Sequence, residues 1–251
     1  MFPEIRITDS TAIPTYLLYL SLLYCFLVYY VVRKADALKK DTRTALDLGL
    51  ILMVGGFVGG RLLHVIYEMP DYYWEDLSRI YKFWDGGFVF FGGFVFALAG
   101  CTFYVWKKKL SFFEWADFYA PVIALGYGLG RLSCYLAGCC YGRFCTAPWA
   151  TQFPWDTHHI PIHPTQIYAV IWELAVFGLL VSLPRVRRFR TGFLFSLWLI
   201  LHGIGRLMME HYREDFRGDL ILGLSISSWI SLGIILLGTW YLFRMRRYAK
   251  T

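Results

Sequence analysis

Seven apolar runs, each about as long as a membrane-crossing helix, make up most of the sequence. A helix needs about 20 mostly apolar residues to cross the hydrocarbon core of a bilayer. Only 17% of the residues are charged, against about 25% in soluble domains. The pattern therefore predicts an all-α integral membrane protein with seven transmembrane helices. The predicted spans are residues 13–32, 46–66, 86–106, 118–140, 164–183, 192–212 and 220–243.

The connections between these runs are short, and the sequence contains no low-complexity tract. We therefore predict a single polytopic membrane domain over residues 1–251. The first apolar run follows a mixed-charge start and is not followed by a small-residue cleavage site. It is expected to remain in the mature protein as the first helix rather than to be removed as a signal peptide.

Lysine and arginine residues cluster in alternate connections. They are dense in residues 33–43, 107–109 and 185–190 and in the tail at 244–250. Because cytoplasmic loops carry an excess of these residues, we predict an external N-terminus and a cytoplasmic C-terminus. The net charge of +7 then reflects this topology and contact with anionic lipid, and no nucleic-acid partner is expected.

Three arginines lie inside predicted spans, in the outer half of the membrane under this topology: Arg61, Arg131 and Arg206. Buried cations repel one another unless an anion lies among them. The two acids at similar depth, Glu173 and Glu210, are too few to neutralise all three. Since the guanidinium fork suits phosphate oxygens, the pattern favours binding of a lipid phosphate. The alternative is structural arginines that snorkel to the interface or bind backbone carbonyls.

Three polar residues recur every four positions in the sixth span. His202, Arg206 and Glu210 therefore share one helix face. A histidine beside a cation favours its neutral form, which is the form that a general base needs. An ion pair between Arg206 and Glu210 with a hydrogen-bonded His202 is the structural alternative, and both interpretations can hold together.

Further candidates for substrate binding lie at the start of the third and fifth spans. Gly92 and Gly93 begin the third span, where small residues permit either close helix packing or irregular backbone beside a cavity. His163 and Gln166 open the fifth span around Pro164, a residue that suits the first turn of a helix. His163 is otherwise a polar residue of the helix cap.

Six cysteines are present, and three of them lie near the outer end of the fourth span. An oxidising compartment would allow a disulfide there. Adjacent cysteines rarely bridge each other, which leaves Cys139–Cys145 or Cys140–Cys145 as the pairings. No second Cys/His pair has ligand spacing, so neither a metal site nor a cofactor is expected. A thiol nucleophile at Cys139 has no identified base partner.

Five segments stand out across the chain: GGRLLHV (59–65), FWDGGFVFFGGF (83–94), GYGLGRLSCYLAGCCYGR (126–143), IHPTQIY (162–168) and GIGRLMMEHYRED (203–215). In order and spacing they resemble the bacterial prolipoprotein diacylglyceryl transferase family. The HPTQ–Y element and the two GR dipeptides, at 130–131 and 142–143, are specific in combination. The resemblance runs from the first span to near the end of the sixth.

This resemblance implies a seven-span enzyme of the bacterial inner membrane. Its reaction moves the diacylglyceryl group of phosphatidylglycerol to the thiol of a lipobox cysteine in a prolipoprotein. Arg131 resembles the signature arginine that holds the lipid head group, and Arg206 resembles the arginine of the late helix in the catalytic site. Tyr16 resembles the first-span tyrosine of the site, and Gly142 resembles the signature glycine.

Four positions depart from the family pattern. Phe91 stands where the family usually has a histidine, and His202 stands where it has a tyrosine. Cys134 and Cys139 replace an asparagine and a glutamate of the signature. The phosphate-binding half of the site is retained, so the base must come from elsewhere or the acceptor thiol must arrive ionised. His202 is our candidate for the base or for an orienting residue.

The leading prediction is a transferase that uses phosphatidylglycerol or another anionic phospholipid as donor. The acceptor is a prolipoprotein cysteine or a related nucleophile at the outer leaflet. The alternative is a non-catalytic membrane protein of the same family that binds lipid or a partner protein. A transporter or flippase is a third hypothesis, but the sequence has no pair of broken helices in repeated halves to support it.

Overall fold

The computed structural model describes residues 4–8, 11–82, 87–153, 160–186, 189–213 and 222–247. The helices are α1 (Thr15–Ala37), α2 (Thr42–Leu63), α3 (Pro70–Glu75), α4 (Phe90–Lys107), α5 (Phe112–Ala137), α6 (Thr165–Val186), α7 (Phe193–Tyr212) and α8 (Ile226–Arg247). A π-helical segment, His64–Glu68, follows α2, and a 3₁₀ segment, Leu77–Tyr81, follows α3.

Each predicted span overlaps one long helix in these ranges. Five helical segments are long and apolar enough to cross a membrane: Thr15–Ala37, Thr42–Glu68, Thr165–Val186, Phe193–Tyr212 and Ile226–Met245. An integral membrane protein is thereby supported, while the count of seven spans and the orientation stay predictions. The starts of the third and seventh predicted spans, at 86 and 220, lie outside the described residues.

A short β-hairpin precedes the first helix, an element that the apolar pattern does not predict. Strands β1 (Glu4–Thr8) and β2 (Thr11–Pro14) pair antiparallel, with Ile5 opposite Ile13 and Arg6 opposite Ala12. Helix α1 therefore begins at Thr15, two residues after the predicted start of the first span.

The chain divides into two compact units. The first contains residues 1–27 and 113–251, and the second contains residues 28–112. The prediction of one polytopic domain stays a prediction. In the first unit, the buried core joins α5, α6 and α7 through Ala120, Ala124, Val176, Leu180, Trp198 and Leu199. This packing joins the three helices that carry the candidate site.

Glycines allow these three helices to approach closely beside that core. A Cβ on Gly128 of α5 would lie 3.0 Å from the Glu173 Cβ of α6, and a Cβ on Gly205 of α7 would lie 2.3 Å from the Trp172 Nε1 of α6. The Trp172 indole donates a hydrogen bond to the Leu201 carbonyl at 3.0 Å. Close packing of small residues is typical of membrane helices, and here it brings polar side chains of α5, α6 and α7 within contact distance.

Candidate active site

One tyrosine hydroxyl joins two of the three arginines that were predicted to lie within spans. Tyr127 lies four residues before Arg131 on α5, and its hydroxyl accepts a hydrogen bond from the Arg131 guanidinium. The Arg206 Nη1 of α7 approaches the same hydroxyl at 3.4 Å. The Arg131 guanidinium also lies 4.7 Å from the centroid of the Tyr127 ring. Two cations that were predicted to lie at similar depth therefore converge on one oxygen.

Arg206 is further positioned by residues of its own helix and of α8. Its Nη2 donates a hydrogen bond of 2.6 Å to the Ser227 hydroxyl and lies 3.9 Å from a Glu210 oxygen. Glu210 in turn accepts a hydrogen bond of 2.7 Å from the Ser225 hydroxyl. The ion pair expected from the four-residue spacing is present, but at 3.9 Å it leaves the guanidinium incompletely neutralised.

His202 is paired with an acid from another helix. Its Nδ1 lies 2.5 Å from the Glu173 Oε1, and Glu173 is only 2% exposed. The ring stacks on Trp198 at 5.1 Å and meets the edge of Tyr127 at 4.6 Å between centroids. A carboxylate at Nδ1 fixes the ring orientation and leaves Nε2 as the reactive nitrogen, as in other histidine–carboxylate pairs.

A narrow cavity lies beside the two arginines. Its lining residues, all in the first unit, are Arg131, Cys140, Thr165, Gln166, Ala169, Arg206, Met209 and Arg213. Gln166 is 1% exposed, and its amide nitrogen donates to the Cys139 carbonyl at 2.5 Å. The Gln166 Oε1 has no hydrogen-bond partner among the described residues. The cavity is therefore cationic, with polar groups that converge on it.

Gly142 lies in the connection between the end of α5 and the start of α6. Its N–H donates to the His163 carbonyl at 2.9 Å, and it forms an antiparallel bridge with Arg213. A Cβ there would lie 2.6 Å from the Tyr212 carbonyl oxygen and 2.7 Å from the His163 Cβ. Only glycine fits this approach of three segments, so Gly142 shapes the site through its backbone.

His163 lies beside this bridge, one residue before the predicted span 164–183. Its Nδ1 is 3.0 Å from the Tyr168 hydroxyl, which also accepts a hydrogen bond of 2.8 Å from the Trp149 indole. Burial lowers the pKa of His163, and the positive charge of Arg143 lowers this pKa further. The imidazole is therefore held in its neutral form at neutral pH.

Tyr16 lies near the same end of the first unit. Its side chain is on the first turn of α1, and the residue is 38% exposed. Arg131, Cys134, Cys139 and Cys140 are electrostatic neighbours of its hydroxyl. The structure therefore brings the tyrosine that was predicted for the first span into electrostatic contact with Arg131.

Arg61 makes different contacts from the other two arginines. In the second unit, its guanidinium donates hydrogen bonds to four backbone carbonyls, those of Arg79, Ile80, Lys82 and Gly87, at 2.8–3.2 Å. These contacts tie Arg61 to the 3₁₀ segment and to Gly87. They match the structural alternative, an arginine that binds backbone carbonyls, rather than one that binds a ligand.

Gly92 and Gly93 pack α4 against α2 within the same unit. A Cβ on Gly92 would lie 2.2 Å from the Gly59 carbonyl oxygen, and a Cβ on Gly93 would lie 2.5 Å from the Gly56 carbonyl oxygen. Both contacts agree with the packing alternative for these glycines. Phe91 lies between them and the start of α4, and its side chain is outside the described part of the structure.

The cysteines differ from the expectation of a disulfide to Cys145. All six are free thiols. Cys145 is buried, and its sulfur accepts the Ala147 N–H at 3.3 Å. Cys139 and Cys140 instead group with Cys134, and the three sulfurs lie within 4.8 Å of one another. The expected pairing with Cys145 was wrong, because the turn after α5 directs the Cys139 and Cys140 thiols back toward Cys134 at the end of that helix.

Sequence reasoning missed two contacts that organise the site. Tyr127 could have been found, because a residue four positions before Arg131 shares its helix face. The partnership of Glu173 with His202 joins residues 29 positions apart, and no periodicity signals it. Ser227 is likewise placed by a tertiary contact.

The apolar helices and the paired arginines define a multi-pass membrane protein with a site suited to an anion. A sequence model of the prolipoprotein diacylglyceryl transferase family matches residues 5–244. The chain belongs to this family.

Several relatives carry the name phosphatidylglycerol–prolipoprotein diacylglyceryl transferase. The chain is 33% identical over 207 residues to the one from Clostridium tetani, a match that covers 81% of each chain. It is 36% identical over 207 residues to the one from Bordetella parapertussis, covering 80% of this chain and 78% of the relative. It is also 36% identical over 215 residues to the one from Methylobacillus flagellatus, covering 83% and 79%.

Proposed function

We propose that this chain transfers the diacylglyceryl group of phosphatidylglycerol to the thiol of a prolipoprotein cysteine. Family membership and the names of the relatives support this reaction. The convergence of Arg131 and Arg206 on the Tyr127 hydroxyl is the observation that carries the proposal. It presents two guanidinium groups to one anion.

The reaction is an alkyl transfer at the glycerol carbon that bears the phosphate. The acceptor sulfur forms the new bond to this carbon, and the carbon–oxygen bond to the phosphate breaks. Glycerol phosphate then leaves with the electron pair. Arg131 and Arg206 stabilise the negative charge that develops on the leaving phosphate, which is the role of preorganised donors in a site with little water. Gln166 and Thr165 contribute polar groups to the same cavity.

The acceptor thiol has to lose its proton before or during attack. His202 is oriented by Glu173 through its Nδ1, so its Nε2 is available to accept that proton or to orient the thiol. Such a general base typically contributes about 10²–10⁴-fold to a rate. Tyr16, an electrostatic neighbour of Arg131, is proposed to line the path of the substrate head group.

We further propose seven membrane spans in the bacterial inner membrane, with an external N-terminus and a cytoplasmic C-terminus. The alternation of basic connections supports this orientation. It sets Arg131 and Arg206 toward the outer leaflet, where a prolipoprotein thiol would meet the donor lipid.

Transfer of labelled phosphatidylglycerol to a lipobox peptide tests the proposal. Arg131→Ala and Arg206→Ala are each expected to lose lipid binding and turnover while the protein still inserts and folds. Lysine at either position is expected to restore activity only in part, because it lacks the bidentate fork. Arg33→Ala, at an exposed position of α1, is the matched control and should behave as the parent does.

Two results would contradict this function. If both alanine variants bind phosphatidylglycerol as the parent does, the arginines are structural. If the parent binds the lipid but transfers it to no thiol, the chain is the non-catalytic lipid-binding member considered above.

A further inference from the structure

Helix α5 ends in a turn that folds one cysteine back onto another. The Cys139 N–H donates to the Cys134 carbonyl at 3.0 Å, and the Gly138 N–H donates to the Tyr135 carbonyl at 3.2 Å. Gly138 has a φ of 73°. These are the two hydrogen bonds and the left-handed residue of a Schellman motif, in which the residues at the Cys134 and Cys139 positions contact each other. The motif itself therefore places these two thiols side by side.

The third thiol is held beside them by an unfavourable backbone conformation. Cys140 has a φ of 62°, which costs a residue with a side chain of order 1–3 kcal/mol and persists only where the surroundings impose it. Buried groups of α6 supply that constraint: the Thr165 hydroxyl donates to the Cys140 carbonyl at 2.7 Å, and the Gln166 amide donates to the Cys139 carbonyl. Both side chains belong to residues that are at most 2% exposed. The three sulfurs are thus brought together by a clamped turn.

Three converging thiols are a ligand set for a thiophilic cation. Zinc sites that act in catalysis commonly have three protein ligands and an open fourth position, with Zn–S bonds of about 2.3 Å. Tetrahedral ligands at that bond length lie about 3.8 Å apart, and the sulfurs here are already within 4.8 Å. Closure therefore needs a movement of about 1 Å at most, and the exposed position of Cys139 leaves room for it.

The charges around the thiols favour the same ligand. Zn²⁺ with three thiolates has a net negative charge, which an apolar environment would disfavour. Arg131 interacts electrostatically with Cys134 and Cys140, and Arg213 does so with Cys140. Arg131, which is proposed to bind phosphate, and Arg213 thus also compensate the charge of a thiolate-bound ion.

We propose that Cys134, Cys139 and Cys140 bind Zn²⁺, and that the open position of the ion binds the acceptor thiol during transfer. This inference rests on the proposed function. No metal was expected from the sequence, because no second Cys/His pair has ligand spacing. The third ligand proposed here is instead Cys134, which lies within α5, before the adjacent Cys139 and Cys140.

The ion would supply the activation that a base otherwise provides. A thiol that coordinates Zn²⁺ is deprotonated, and its proton passes to His202. The zinc-bound sulfur then forms the bond to the glycerol carbon as glycerol phosphate leaves. The product thioether is a weaker ligand than a thiolate and dissociates from the ion, which restores the open position.

Cobalt substitution tests the site without relying on activity. The full-length protein, purified under reducing conditions and loaded with Co²⁺, is expected to show thiolate-to-cobalt charge-transfer absorption. This absorption should increase when a lipobox peptide is added, but not when its cysteine is replaced by serine. Cys134→Ser and Cys139→Ala are expected to lose the absorption. Cys25→Ser, an exposed thiol of α1, should retain it.

The variants Cys134→Ser and Cys139→Ala differ in their risk of misfolding. Because Cys139 is exposed, Cys139→Ala should fold even if the partly buried Cys134→Ser does not. The inference would be overturned if the cobalt-loaded parent shows no thiolate-to-cobalt absorption. It would also be overturned if Cys139→Ala retains this absorption.

Turnover measured in parallel separates the inference from the proposed function. Removal of zinc with a chelator, or Cys139→Ala, is expected to lower transfer roughly 10²-fold or more, as for other means of activating a nucleophile. Full turnover in chelated protein would refute the metal role and leave the transferase function standing. Conversely, cobalt and peptide binding without any transfer would refute the function while the metal site stands.

Discussion

Removal of one hydroxyl group tests whether the two arginines act as a unit. Tyr127→Phe keeps the aromatic ring that packs against His202 and lies under the Arg131 guanidinium. It deletes only the oxygen that accepts hydrogen bonds from Arg131 and Arg206. The variant therefore leaves both charges in place and releases them from their shared partner.

The size of the effect follows from the two contacts. The Arg206 contact is 3.4 Å long and therefore weak, so the Arg131 contact contributes most. A hydrogen bond that involves a charged group contributes about 1.5–3 kcal/mol. If the hydroxyl sets the positions that the lipid phosphate requires, phosphatidylglycerol affinity should fall about 10- to 150-fold.

Binding of phosphatidylglycerol and its transfer are measured for the parent, Tyr127→Phe and Tyr135→Phe. The control lies two turns further along α5, where its ring meets Phe153 at 6.0 Å. We expect Tyr127→Phe to weaken lipid binding and Tyr135→Phe to leave it unchanged. Equal affinities in all three proteins would show that the hydroxyl does not organise the phosphate site.

Three further predictions concern the base, the topology and the pH dependence. His202→Phe is expected to lower turnover about 10²–10⁴-fold with little change in lipid binding; undiminished turnover would remove His202 from the mechanism. Reporter fusions after Arg43, Lys109 and Arg190 are expected to read cytoplasmic, and a periplasmic signal from any of them would refute the orientation. Because the pKa of His163 is lowered in the folded protein, the unfolded chain binds more protons below about pH 6.5, and stability should fall as the pH falls. Thermal unfolding of the parent and His163→Gln across this range checks the last prediction, which fails if the variant has the parent's pH dependence.

Local sequence patterns predicted the features that depend on a single helix, namely its position in the chain and the contacts along one of its faces. The lengths of the apolar runs located the long helices, since about 20 residues of one character suffice to define a span. The four-residue spacing of Arg206 and Glu210 predicted their ion pair, because such residues meet on one helix face. Segment order and spacing likewise indicated the family, which a match over residues 5–244 shows.

Tertiary contacts decided which of these residues work together. Arg61, Arg131 and Arg206 look alike as arginines inside apolar runs, yet backbone carbonyls surround Arg61 while the other two share the Tyr127 hydroxyl. Glu173 of α6 reaches His202 of α7 because the two helices pack closely, with Gly205 of α7 against the Trp172 ring of α6. The three thiols converge because a helix end, two left-handed residues and two buried donors of α6 act on one turn. Periodicity reports the face of a single helix, whereas these partnerships depend on how closely different helices pack.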